Sequence, residues 1–286
     1  MTILADLSQH SKPLLTLRPP RRWAPLSLAE VWHYRDLLLT LAQRDVKVRY
    51  KQTALGILWV VLQPLLAALI FAFVFGRIAR MDSEGIHPYF VFAYAGLLGW
   101  NAFNSTLTRA SSSIVESNRL VSKVYFPRLV LPLSTCLTTL IDFTVALVLL
   151  VMMMAFFHIA PHWPALLLPA WLALLILLAI GIGLYTSALM VSYRDLQYAL
   201  PPFLQLLLYA SPVAYSAAAA PVPHRLLRYY YLNPVAGLLE GFRWSVFGTT
   251  QVHWGAVAYS AGMVVVVFIF GAISFKRMER RFADVI

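Results

Sequence analysis

Apolar positions in this chain run together in long blocks, with no alternation of period two. Six stretches qualify as bilayer-crossing segments, about 55–76, 88–107, 129–157, 164–191, 199–216 and 254–275. A hydrocarbon core about 30 Å thick needs roughly 20 apolar residues per helix. Inside all six lies a single acidic residue, Asp142, and no Lys or Arg. The pattern predicts an all-α membrane protein with six transmembrane helices.

Two further segments break the rule of simple spans. Residues 27–52, "SLAEVWHYRDLLLTLAQRDVKVRYKQ", place Leu28, Val31, Trp32, Leu38, Leu39, Ala42 and Val46 at helical spacing. Arg44, Lys47, Arg49 and Lys51 supply the basic groups, and Ser27 followed by Glu30 fits a capping box. This predicts an amphipathic helix over 28–54 lying in the inner interface. The second is "YYYLNPVAGLLEGFRW", residues 229–244, apolar and aromatic yet holding Asn233-Pro234, Glu240 and Arg243. A helix over 234–247 is about 21 Å long at 1.5 Å per residue, too short to cross. Pro234 suits a first helical position, where its missing N–H costs nothing. The reading is an outer re-entrant hairpin within 217–253, with helices near 222–232 and 234–247. Irregular backbone at that depth needs protein or a water-filled cavity around it.

Composition agrees, with 60% hydrophobic and 12% charged residues. With the N-terminus inside, segments 1–54, 108–128, 192–198 and 276–286 carry nine, four, one and four of the 23 Lys and Arg. The outer segments 77–87, 158–163 and 217–253 carry two, none and three. That asymmetry predicts both termini in the cytoplasm. It also accounts for the net charge of +11 through topology and anionic membrane lipid, without nucleic acid. Residues 1–27 hold four prolines and no apolar run, so they read as a cytosolic tail and not a signal peptide. Cys136, the single cysteine, excludes an internal disulfide.

The candidate chemistry is that of transport. No G-x-x-x-x-G-K-[ST] phosphate loop occurs, so the chain lacks its own ATPase motif. An ion-coupled carrier places several ionisable groups at mid-membrane, and here there is only Asp142. His87, His158, His162, His224 and His253 fall on the outer side without a carboxylate partner in any hydrolase or metal pattern. An external energy source remains. The loop 108–128 contains a short amphipathic segment, with Ile114, Leu120, Val121 and Val124 on one side and Glu116, Arg119 and Lys123 for orientation. Two readings fit it: a coupling helix that docks a partner, or a solvated loop carrying inner positive charge.

Six motifs in order carry a family resemblance: "RYKQTALGILWVVLQP" (49–64), "SNRLVSKVYFPRLVLPLS" (117–134), "SYRDL" (192–196), "SPVAY" (211–215), "NPVAGLLEGFRW" (233–244) and "ERRFADVI" (279–286). From about residue 28 onward the chain resembles the type-2 ATP-binding-cassette permeases that export polysaccharides such as O-antigen. The resemblance implies a transmembrane domain over 55–286 in a bacterial inner membrane. It also implies a homodimer with two copies of a cytosolic ATPase, which binds the ATP and Mg, and a lipid-linked polysaccharide as substrate. No cofactor is expected in this chain. Ile114, Glu116, Arg119, Leu120 and Lys123 would then form the coupling site. An exporter of teichoic acid, capsule, drug or small lipid is the alternative with the same fold.

The remaining candidates concern the path and its gate. Glu240 and Arg243, three apart on one helix face, are expected to pair locally. Their role is an interfacial ion pair, a gate latch or a contact to the migrating glycan. Asp142, costly at mid-span, must face protein or water, through a bond to a neighbouring span or a channel-lining position. Tyr89, Tyr94 and Trp100 in the second span and Phe203, Tyr209 and Tyr215 in the fifth offer ring faces on which sugar C–H faces stack. Helix packing and interfacial belts use the same residues.

Overall fold

A computed structural model of the chain describes residues 28–51, 56–216, 229–248, 252–279 and 282. The expected tail 1–27, the Ser27 cap and the first part of the 222–232 helix lie outside the described residues. Among the described residues every regular element is helical. In order these are α1 (Leu28–His33), α2 (Arg35–Lys51), α3 (Gly56–Phe71), α4 (Tyr89–Glu116) and α5 (Asn118–Val121). There follow α6 (Val130–Phe156), α7 (Leu168–Ser192), α8 (Leu196–Tyr209), α9 (Pro234–Phe247) and α10 (Trp254–Met278). A π-helical segment, Ala72–Ile78, extends α3, and a 3-10 turn, Trp163–Leu167, precedes α7.

Among the described residues four helices are long and apolar enough to cross a membrane: Leu58–Ile78, Val130–Phe156, Trp163–Ser192 and Trp254–Met278. The other two expected spans differ for local reasons. Helix α4 is 28 residues long and runs past the expected boundary at 107 to Glu116. From Asn101 onward it carries Asn101, Asn104, Thr106, Arg109 and three consecutive serines, which lower its apolarity. Helix α8 stops at Tyr209, seven residues before the expected end at 216. Pro212 favours that stop, because a proline disfavours helical backbone in the residue before it. At 14 residues α8 is about 21 Å long, short of the bilayer core.

Helix α4 is the centre of the bundle, packed against α7 and α6, while α7 packs on α10 and α9 on α10. Its buried positions from Val91 to Leu107 line the main core together with Leu175, Leu178, Leu239 and Phe242, and Ala110 and Ile114 join a second cluster. Lipid offers no hydrophobic drive for helices to meet, so close van der Waals approach decides the packing. At the α7–α10 crossing a Cβ added to Gly271 would collide with the Gly181 carbonyl oxygen. In α4 a Cβ on Gly96 would meet the carbonyl oxygen of Val213.

The amphipathic segment α1–α2 is broken at Tyr34 and packs on α6, with Ala42 buried and Leu41 buried beside Ile114, Phe126 and Leu129. Its apolar stripe is therefore divided. Ala42 meets protein, while Trp32 and Leu39 stay exposed. The first span has little cover of its own, since Leu58, Trp59, Leu66, Leu69, Ile70 and Phe73 are all exposed in the single chain. Arg128 donates to the Glu279 carbonyl at 2.6 Å and lies over the Phe282 ring, tying the end of α10 to the loop before α6.

The glycine crossing can be tested directly. Gly271→Val is expected to destabilise the purified chain by about 1–3 kcal/mol or more, the usual cost of overpacking. Gly262→Ala, where an added Cβ meets nothing within 4 Å, should leave it unchanged. Equal melting of the two variants in heated size-exclusion profiles would refute the tight α7–α10 crossing.

Candidate functional site

Two polar constellations stand out, one around α9 and one joining α2, α4 and α6. The first is built on α9. Asn233 caps it, accepting from Val235 N at 3.1 Å and donating through Nδ2 to Ser211 Oγ at 2.8 Å. Pro234 takes the first helical position. Gly248 ends the helix in left-handed conformation, φ 73°, with its N–H on the Trp244 carbonyl at 2.8 Å. A side chain there would strike His162. Helix α9 is buried nearly all round, against α7, α10, α4 and the 3-10 turn.

Within that apolar packing sit Glu240, 4% exposed, and Arg243, 2% exposed. They do not bond each other, contrary to the expected local pair. Burial at this depth makes each charge find its own strong partners. Arg243 donates to the Tyr215 carbonyl at 2.9 Å, and its guanidinium carbon lies 4.6 Å from the centre of the Phe92 ring. Burial draws its pKa down, and the charges of Glu84 and Glu240 oppose this. Glu84, in the loop after the first span, accepts a hydrogen bond from Ser216.

Glu240 accepts from the Tyr231 hydroxyl at 2.8 Å through Oε1. The same hydroxyl lies 2.7 Å from His253 Nδ1, and His253 is 3.7 Å from Glu240 Oε2. With the Tyr231 proton directed at the carboxylate, His253 donates to the Tyr231 oxygen. The chain of bonds runs from a half-exposed imidazole to a buried acid. Burial raises the Glu240 pKa, against the bond from Tyr231 and the charges of Arg243 and His253. No group of three metal-ligating side chains forms among the described residues.

The aromatic candidates divide. Tyr94 and Trp100 are buried in the core, Tyr94 donating to the Ala146 carbonyl at 3.1 Å and Trp100 packing on Phe103. Tyr89 donates to the Ala214 carbonyl at 2.6 Å. Within the protomer these three side chains pack against protein. Phe203 and Tyr209 are exposed on α8, and half-buried Tyr215 packs between Phe75 and Tyr230.

The expected coupling segment is partly a continuation of α4. Ile114 is fully buried, so it is unavailable to a partner. Glu116, Arg119 and Lys123 are exposed, Leu120 is half-buried, and Val124 and Tyr125 add an exposed apolar pair. Asp142 meets Arg109 at 2.8 Å and Arg49 at 3.0 Å, so it bonds both a neighbouring span and the interface helix. Neither arginine was singled out by spacing. Arg109 stands two residues beyond the second apolar stretch, and opposite charge at matching depth was the available signal. Tyr231, His253, Glu84 and Phe92 are joined to Glu240 and Arg243 only by tertiary packing.

The family description "ABC-2 type transporter" matches residues 36–247. The chain belongs to that family. Among ABC-2 transporters it is similar to the O-antigen export system permease protein RfbA of Myxococcus xanthus, 29% identical over 256 residues. That match covers 89% of this chain and 97% of the relative. The RfbA permease of Klebsiella pneumoniae is 29% identical over 260 residues, covering 88% and 95%. The polysialic acid transport protein KpsM of Escherichia coli is 28% identical over 244 residues, covering 82% and 91%. The matched range contains α2 to α9, including the exposed inner segment and the outer Glu240–Arg243 cluster.

Glu240 gives a pH test. Its raised pKa means the folded chain holds the proton more tightly than the unfolded one. The stabilisation is complete below about pH 4.3, the ordinary glutamate value, and is lost as pH rises through the raised value. Wild type should therefore lose melting temperature relative to Glu240→Gln as pH is raised from about 4 to 8. A constant difference across that range would mean that the folded and unfolded chains hold the Glu240 proton equally, which would refute the raised pKa.

Proposed function

We propose that this chain is the permease subunit of an ATP-driven exporter that moves an undecaprenyl-diphosphate-linked, O-antigen-like polysaccharide to the outer side of a bacterial inner membrane. The observation that carries this reading is the similarity to O-antigen export permeases across nearly the full length of both chains. In this reading the domain has six spans, α4 crossing despite its polar residues and the fifth span continuing from α8 through residues 210–216. Both termini are cytoplasmic and α9 belongs to an outer re-entrant hairpin. Two copies pair with two cytosolic ATPases, which bind the ATP and Mg. KpsM supports a second reading, a capsule-type polysaccharide carried by the same fold.

The mechanism begins at the exposed surface of Glu116, Arg119, Lys123, Val124 and Tyr125, where the ATPase docks. From there α4 runs unbroken for 28 residues, about 42 Å, to Phe92 and Tyr89. Phe92 lies under Arg243 and Tyr89 bonds Ala214, so a tilt of this one helix reaches the outer cluster. Nucleotide acts by binding differently to the closed and open arrangements, because equal binding shifts nothing. Glycan enters from the inner leaflet and advances over repeated ATP cycles.

Inactivation of the gene should leave lipid-linked polysaccharide inside the cell and remove it from the surface, read by fractionation and immunoblot. Normal surface glycan would overturn the export reading. In the reconstituted complex, Glu116→Ala with Arg119→Ala should lower transport-coupled ATP hydrolysis by about fivefold or more, the lower end of ordinary coupling energies. Membrane insertion should be unchanged. Full coupling in that variant removes this surface as the docking site.

A further inference from the structure

Between Asn101 and Ser112, α4 sorts its faces in the sense opposite to that of a lipid-facing helix. Every position there that the single chain leaves partly or fully uncovered is polar: Asn101, Asn104, Ser105, Thr108, Arg109 and Ser112. The covered positions include Ala102, Phe103, Leu107 and Ala110. Steps of three and four residues put the six on one helix face. The stripe is about 17 Å long at 1.5 Å per residue.

Its depth follows from contacts at either end. Tyr94, before the stripe, donates to the Ala146 carbonyl, and Arg109 meets Asp142. Both partners stand near the middle of the Val130–Phe156 helix, so the turns of α4 between them lie alongside a span. Neighbouring spans show what lipid selects. The uncovered side of α6 holds Leu140, Ile141, Val148 and Val151, and that of α10 holds Val265, Val266, Ile269 and Phe270. A row of amides and hydroxyls at the same depth requires water or protein against it.

Two helices that pack on α4 carry matching groups. Gln63 is exposed on α3, as are Gln197 and Gln205 on α8. From Asn101 to Val115 the one charged residue of α4 is Arg109, which Asp142 opposes. Amides and hydroxyls both donate and accept, so this lining suits a neutral ligand rich in hydroxyls. Each bond to such a ligand is exchanged for one to water or to the next hydroxyl at little net cost. A chain can therefore advance along the stripe without a deep resting site.

We propose that the Asn101–Ser112 face of α4 lines a water-filled groove, along which neutral, hydroxyl-rich stretches of a glycan pass by exchanging hydrogen bonds with Asn101, Asn104, Ser105 and Thr108. The groove rests on packing and polarity. Only the glycan as its occupant rests on the export reading. A second copy of the chain lying on this face is the competing arrangement.

The test is cysteine labelling of the full chain, in a Cys136→Ala background, in intact cells and in inverted membrane vesicles. The probe is a charged methanethiosulfonate. Asn101→Cys, Asn104→Cys, Ser105→Cys and Thr108→Cys are compared with Val151→Cys and Ile269→Cys on the apolar faces. Only the thiolate reacts, and apolar surroundings suppress it. The stripe should react about a hundredfold faster or more than the two apolar positions from at least one side of the membrane. Labelling as slow as at Val151→Cys from both sides overturns the groove, and cross-linking between copies in those slow variants would show a second copy covering the face. Ser105→Cys replaces a single atom, so misfolding of the Asn variants leaves that measurement standing. The occupant is read by comparing cells that make the lipid-linked polymer with cells lacking its glycosyltransferases. Labelling of the stripe should be at least halved where polymer is made. Rapid labelling that ignores the polymer, alongside loss of surface glycan on gene inactivation, overturns the glycan as occupant and leaves the export reading standing. Normal surface glycan with rapid labelling removes the export reading and leaves the groove.

Discussion

Arg243 is a guanidinium buried among apolar helices, and the outer half of the protein is arranged around satisfying it. Its hydrogen bond fixes the Tyr215 carbonyl, its face covers Phe92, and its charge balances Glu84 and Glu240. These contacts draw together the loop after the first span, α4, the segment following α8 and α9. Removing one partner of a buried charge costs far more than an exposed ion pair is worth. The segments therefore keep these positions together or exchange them together.

Helix α4 turns that local demand into a property of the whole bundle. It is covered by α6 on one side and α7 on another, and it reaches from the exposed inner surface to the ring beneath Arg243. The two polar clusters also differ in character. The outer one is enclosed, with Glu240 reached through Tyr231 and His253. The inner one faces outward, with guanidiniums more exposed than the acid that holds them.

Much of this was legible in the residues. The helical class, the apolar helices and the 234–247 limits of α9 follow from block hydropathy, Asn233-Pro234 and Gly248, because these are local signals. The ends of α4 and α8 were less legible. A hydropathy boundary marks where lipid stops, and α4 continues past that point because Ile114 has protein to pack on. The aromatic residues of the second span read equally well as path or core, and only packing separates Tyr94 and Trp100 from Phe203 and Tyr209. Glu240 and Arg243 share a helix face, yet tertiary neighbours lying 9 to 28 residues away in sequence take their bonding capacity.

The position of α4 also sets an order of assembly. The first span has little cover within the chain and can equilibrate with lipid as soon as it is made. Helix α4 is synthesised next, yet its cover comes from α7, and α7 is itself closed by α10 at the far end of the chain. During biogenesis Arg109 must therefore wait for Asp142 on α6, and α4 as a whole for α7, held until then by the insertion machinery or by transient neighbours. A ribosome that stalls before residue 254 leaves the central beam of the bundle without its final support.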